Sequence, residues 1–343
     1  RETRRGNVYA AVIVYRHQQN FDHVGDKVKK VLGRSLKILF LIFGIIIIFI
    51  IISFVRHKIC SSKEKDLLAP LGELVEVNGH NMSIYTEGEG DKTLVFMSGG
   101  GTCSPILDFK SLYSLLSSEY KIAVVEKFGY GFSDIVDEKR DIDTMLSETR
   151  MALDKTGIHG PYVLCPHSLS GLEALYWAQK YPDEVEAIVG LDMAVPDYYD
   201  EMNISIPTME LGHYAAVLGI TRWIPSLAES DAIKYGTLSE KEKDIYRAVF
   251  YQKTATKTMV DEAKVVKDNA KIVKENGIPQ VPMLLFISDG SGGTGFTKEK
   301  WRSIPEKYIS DHDSASCIEL DCPHYIHDYE YEAISKEIKN FIK

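Results

Sequence analysis

One stretch constrains the fold of this chain more than any other: residues 161–181, PYVLCPHSLSGLEALYWAQKY. Tyr162, Val163, Leu164 and Cys165 make an apolar run of strand length, and after Ser168 the apolar residues Leu169, Leu172 and Leu175 or Tyr176 recur at helical spacing. The pattern predicts a strand that turns sharply into a helix at Ser168. A serine at the tip of such a turn exposes its hydroxyl, and the next backbone N–H and the helix N-terminus face any negative charge that develops beside it. That is the geometry of a nucleophile elbow. The usual pattern is G-x-S-x-G, whereas Pro166 and Ser170 stand at the glycine positions here. Ser170 keeps the side chain small; Pro166 is the larger departure.

Around this stretch strand and helix signals alternate. Residues 74–77 and 82–85 flank Asn78-Gly79 and predict a hairpin; 94–97, 122–125, 187–191, 281–287 and 317–320 predict strands. Residues 107–116 and 145–153 have helical spacing, and Ile334, Ile338 and Ile342 share one face of a terminal helix. Such alternation predicts an α/β fold, a mostly parallel central sheet with helices on both faces. Residues 195–277 break the rhythm. They are polar, helical in pattern and rich in large side chains, with Met259, Ala263, Val266, Ala270 and Val273 on one apolar face. An 83-residue helical insertion between sheet strands reads as a lid over a site.

Residues 38–55 are 18 uncharged, strongly apolar residues between Lys37 and Arg56, enough to span a bilayer when Lys37 snorkels. The run shows no polar face, as a core helix should, and no small-residue cleavage site before Arg56, as a signal peptide should. A permanent single-pass anchor is expected. The predicted organisation is a basic segment at 1–37, a transmembrane helix at 38–55, a linker at 56–70, a core at 71–194 and 278–343, and a cap at 195–277. Basic residues on the two flanks are nearly balanced, and the small excess before the span favours an extracytoplasmic folded part. Residues 66–343 carry 27 basic against 45 acidic side chains, which argues against nucleic acid and anionic membrane surfaces as their partners. The five cysteines lack CxxC spacing, so neither a disulfide framework nor a zinc site is indicated. Cys317 and Cys322 have the spacing for a local bridge in an extracellular domain, and isolated thiols are the plainer reading.

Three further motifs carry a resemblance: Ser98-Gly99-Gly100-Gly101 after the third strand, Glu126-Lys127-Phe128-Gly129-Tyr130-Gly131-Phe132-Ser133, and Leu320-Asp321-Cys322-Pro323-His324-Tyr325-Ile326-His327. In these and in the order of its elements the chain resembles the α/β-hydrolases with a helical cap after the sixth strand, over about residues 71–343. The resemblance implies that Gly100 and Leu169 offer the N–H groups of an oxyanion hole. It implies that 126–133 is the family's structural D-x-x-G-x-G-x-S turn, with Glu at its first position, and that His324 is the general base. His327 then reads as a surface or supporting histidine. The family's order of serine, acid and histidine gives Ser168, Asp289 and His324, with Asp192 as the alternative acid.

The function implied is a membrane-anchored serine hydrolase acting on a small-molecule carboxylic ester or other acyl compound, with no cofactor and no metal. The aspartate nucleophile of dehalogenases and epoxide hydrolases is absent from the elbow, and Gly99-Gly100-Gly101-Thr102 does not reproduce the Gly-Gly-Pro-Gly segment of proline iminopeptidases. A peptidase of that type remains an alternative, as does an inactive hydrolase fold serving as a binding or signalling module, which the degenerate elbow motivates. Gly290-Ser291-Gly292-Gly293-Thr294-Gly295 matches G-x-G-x-x-G, but late in the chain and before an interrupted segment at 296–305, so a flexible loop is expected over a dinucleotide site.

Overall fold

The structure, a computed structural model, describes residues 2–343. It falls into two compact units, Arg1–Arg56 and His57–Lys343. Helix α1 (Glu2–Lys63) contains a 35-residue stretch, Lys29–Lys63, that is long and apolar enough to cross a membrane, and the apolar side chains of that stretch are almost all exposed.

Residues 56–70, the expected linker, are largely helical. The chain stays helical to Lys63 and adds a 3-10 turn at Lys65–Leu68. The cause lies in the insertion: the Arg222 guanidinium donates to both carboxylate oxygens of Glu64 at 2.7 and 2.6 Å and to His57 Nδ1 at 3.0 Å. Gln252 adds a hydrogen bond to Ser61 Oγ at 2.6 Å.

The sheet begins with β1 (Glu73–Val77) and β2 (His80–Glu87), joined at Asn78 and Gly79, whose φ values of 53° and 85° are those of a two-residue hairpin turn. β3 (Thr93–Met97) leads to two short helices, α2 (Pro105–Asp108) and α3 (Lys110–Tyr113), and to β4 (Lys121–Glu126). Then come α4 (Ile142–Lys155), β5 (Tyr162–Pro166), α5 (Ser170–Lys180) and β6 (Val185–Leu191). The insertion consists of α6 (Tyr198–Glu201), α7 (Ile206–Val217), two 3-10 turns (Ile220–Trp223 and Pro225–Ala228), α8 (Asp231–Lys234), α9 (Glu240–Lys253) and α10 (Lys257–Glu275). β7 (Met283–Ile287), α11 (Lys298–Tyr308), β8 (Ala315–Glu319), α12 (Ile326–Tyr329) and α13 (Tyr331–Phe341) complete the chain.

The eight strands form one sheet in the order β1-β2-β4-β3-β5-β6-β7-β8, parallel except where β2 pairs with β1 and β4. Strand periodicity sorts the core into two layers: Val95 and Met97 face one, Leu94 and Phe96 the other. α5 packs in the first layer, and the buried face of α13, Ile334 and Ile338, in the second. Most of the segment at 296–305 belongs to a helix, α11, which begins at Lys298. The Thr297 hydroxyl accepts the Lys300 N–H, and Trp301 and Ile304 bury, which fixes α11 despite Pro305 inside it.

The turn after β4 shows why its first residue is charged yet internal. Glu126 is fully buried, its Oε2 accepts the Phe132 N–H at 2.8 Å, and only a glycine fits at 131, where a Cβ would come within 1.9 Å of Oε1. Burial, outweighing the hydrogen bond from Phe132, pushes this carboxyl from 4.5 up to about 7. The native state therefore holds the proton more tightly than the unfolded chain, a contribution fully present below pH 4.5 and lost as pH rises through about 7. Stability relative to the Glu126→Gln variant should fall by about 3 kcal/mol across that window, read from thermal unfolding in detergent. A difference that does not change with pH contradicts the burial argument.

Candidate active site

The elbow forms where the sequence places it. β5 ends at Pro166, α5 begins at Ser170, and Ser168 between them has φ of 52°, a left-handed conformation that a non-glycine residue adopts only when its surroundings impose it. The surroundings are tight. The Ala194 N–H donates to the Ser168 carbonyl at 2.7 Å, and a Cβ at Gly99 would come within 2.7 Å of Ser168 Cβ. Pro166 does not interrupt the ladder, because the next N–H, that of His167, reaches the Met97 carbonyl at 2.9 Å. Ser170, buried at the second glycine position, donates its hydroxyl to the Ser98 carbonyl and so ties the start of α5 to the glycine-rich loop.

His324 arrives from the loop between β8 and α12. Its Nε2 lies 2.9 Å from Ser168 Oγ and its Nδ1 2.5 Å from Asp192 Oδ2. Asp192 follows β6 with φ of 50° and is 2% exposed. Its other oxygen accepts the Ser288 N–H at 2.7 Å and the Trp301 indole N–H at 2.9 Å, so the carboxylate is fixed from both sides. Asp192, the alternative, thus takes the place expected for Asp289. The Asp289 carboxylate is half-buried and turns back to accept the Ser291 N–H at 2.8 Å, closing its own loop, while its backbone N–H donates to the Cys322 carbonyl.

Two more histidines surround the pair. His167 is buried, and its Nε2 donates to the His324 carbonyl at 3.2 Å. Burial above all, with the nearby His324 and His327 rings, holds its pKa well below 6.5, so it stays neutral. His327 is not a surface histidine: it is fully buried, its ring 4.8 Å from that of His167 and its Nε2 4.0 Å from Asp108 Oδ2. The loop at 290–295 also braces the site, since the Ser291 carbonyl accepts the His324 N–H at 3.0 Å.

Gly100 and Leu169 face each other, with Leu169 Cδ1 3.2 Å from where a Cβ on Gly100 would stand. Among the described residues no protein acceptor takes the N–H of either one. Both line a cavity of about 440 Å³ together with Ser168 and His324, and the insertion contributes Met202, Met209 and Met259 to its wall. One charged side chain reaches it, Glu262 of α10, held by the Lys127 ammonium and the Tyr130 hydroxyl at 2.6 Å each. Among the described residues no cluster of three His, Cys, Asp or Glu side chains is placed to hold a metal ion. The Gly99 contact, Trp301 and the buried His167 escape sequence reasoning, because each acts through a contact between distant segments.

No family model matches the chain. It is 35% identical over 324 residues to the uncharacterized protein YbdG of Bacillus subtilis (strain 168), an alignment covering 92% of this chain and 99% of that protein. Among solved structures it is similar to the epoxide hydrolase VrEH1 from Vigna radiata, with a TM-score of 0.61 and 18% identity over 79% of this chain and 96% of that one. It is also similar to the enol-lactonase from Burkholderia xenovorans LB400, with a TM-score of 0.59 and 15% identity over 79% and 99%. The chain has the α/β-hydrolase fold and belongs to the same family as YbdG of Bacillus subtilis.

Proposed function

We propose that this protein is a serine hydrolase, anchored in a membrane through residues 38–55, that cleaves a small carboxylic ester or related acyl compound by way of an acyl-enzyme. The observation that carries the reading is the unbroken relay from Ser168 Oγ through His324 to Asp192, opening on a cavity with two free backbone donors at its edge. His324 Nε2 takes the hydroxyl proton as Ser168 Oγ attacks the acyl carbon, and Asp192 stabilises the imidazolium that forms. The Gly100 and Leu169 N–H groups receive the charge on the acyl oxygen. His324 then returns the proton to the departing alcohol. Water, activated in the same way, attacks the acyl-enzyme and releases the acid and free Ser168.

A serine rather than an aspartate at the turn favours acyl transfer over the opening of an epoxide or displacement of a halide. The methionines in the cavity wall favour an apolar acyl group. The enol-lactonase among the structural neighbours is, by its name, an enzyme of lactones, which are cyclic esters, and so is compatible with this chemistry.

A fluorophosphonate probe is expected to label the purified full-length chain and to leave Ser168→Ala blank; folded wild type that stays unlabelled overturns the proposal. The two acids separate by kinetics on a p-nitrophenyl ester series. Asp192→Asn should cost about 10³- to 10⁴-fold in kcat, because the imidazole loses its orienting carboxylate. Asp289→Asn should stay within about threefold of wild type, since that side chain only closes a turn. The reverse ranking would assign the acid to Asp289.

A further inference from the structure

Helix α7 is built the wrong way round for a protein surface in water. Its twelve residues, IPTMELGHYAAV, hold one acid, Glu210, and one histidine, His213, and only Ala216 is buried. Both of these side chains make contacts with the rest of the insertion, while Thr208 bonds Ser205 at the helix start. Glu210 pairs with Lys264 of α10 at 3.1 Å, and His213 Nδ1 donates to the Ala255 carbonyl at 2.8 Å. Leu211 and Tyr214 are left 70% and 61% exposed, with Val217 one turn further on about half exposed. The 3-10 turn that packs against α7 and the turn packed against it add Trp223, Ile224 and Leu227, also about half exposed. An exposed apolar surface of this kind marks an interaction site.

Chain connectivity says what covers it. Arg222, within the first of those turns, clasps His57 and Glu64, and His57 lies only two residues beyond Val55, where the apolar run ends. The acidic balance of residues 66–343 rules out attraction to lipid headgroups as the cause of contact, so burial of apolar and aromatic side chains must supply it. Tyrosine and tryptophan are the side chains that settle at the level of the headgroups.

We infer that the face carrying Leu211, Tyr214, Val217, Trp223, Ile224 and Leu227 lies in the interfacial layer of the bilayer that residues 38–55 span; this rests on the anchored reading above. The test uses the full chain in phosphatidylcholine nanodiscs, with Cys60→Ser and Cys317→Ser as background and bimane on single cysteines introduced as Leu211→Cys, Tyr214→Cys, Ile46→Cys or Lys267→Cys. Brominated phosphatidylcholine should quench the labels at 211 and 214 by at least about half as much as the label at 46, as expected for side chains at the headgroup boundary, and should spare the label at 267. If 46 is quenched while 211 and 214 match 267, the bilayer does not cover this face and the inference fails. Shielding of 211 and 214 from aqueous iodide in that same case would assign the face to a second copy of the chain. If 46 itself is not quenched, the anchored reading has failed and the inference falls with it.

Discussion

The site depends on a backbone constraint: two residues, Ser168 and Asp192, held at φ near +50° at the ends of adjacent parallel strands. Left-handed backbone costs a non-glycine residue about 1 kcal/mol or more and persists only where the surroundings over-determine it. Here they do. Gly99 and Gly171 let neighbouring segments close to a distance that a Cβ would forbid, 2.7 Å from Ser168 Cβ and 2.2 Å from the Ala194 carbonyl oxygen. Ala194 in turn hydrogen-bonds the Ser168 carbonyl, so the turn after β6 supports the turn after β5. The strain points the serine hydroxyl and the aspartate carboxylate at the same imidazole. A relaxed backbone at either position would aim its side chain elsewhere.

The insertion is joined to this framework by buried polar contacts rather than by apolar packing alone. Glu262 meets Lys127 and Tyr130 on the turn after β4, Thr258 pairs with Val136, and Asn269 bridges Arg140 and Ile142. Losing one partner of the buried Lys127–Glu262 pair would leave a charge unsolvated, typically about 3–5 kcal/mol. Such contacts fix α10 in register over the cavity, while Arg222 ties the middle of the insertion to Glu64, just past the end of α1. The element that lines the cavity is thereby tied to residues that precede the sheet.

Much of this was legible in the sequence, for identifiable reasons. The hairpin at Asn78-Gly79, the strand at 162–165 and the alternation of strands and helices are written in local periodicity, which the central sheet obeys. The turn between strand and helix at Ser168 and the position of His324 after the last strand were legible because both are local features. The acid was not. Asp192 and Asp289 follow neighbouring parallel strands, both fit the chain order, and only the path of the His324 loop and the indole of Trp301 decide between them. Residues 56–70 misled because their polarity suggests solvent, whereas the partner that orders them, Arg222, is more than 150 residues away in sequence. Residues 296–305 misled because the stabilising contacts of α11 are the burial of Trp301 and Ile304, which an amphipathic pattern with a proline conceals.

The hydrogen bond between His324 and Asp192 can be observed directly by NMR. In protein carrying ¹⁵N-labelled histidine, a proton on His324 Nδ1 held 2.5 Å from a carboxylate oxygen should resonate far downfield of the amide region. That resonance should be absent from His324→Gln and Asp192→Asn and unchanged in Asp289→Asn. A resonance that survives Asp192→Asn, or that vanishes with Asp289→Asn, would contradict this pairing.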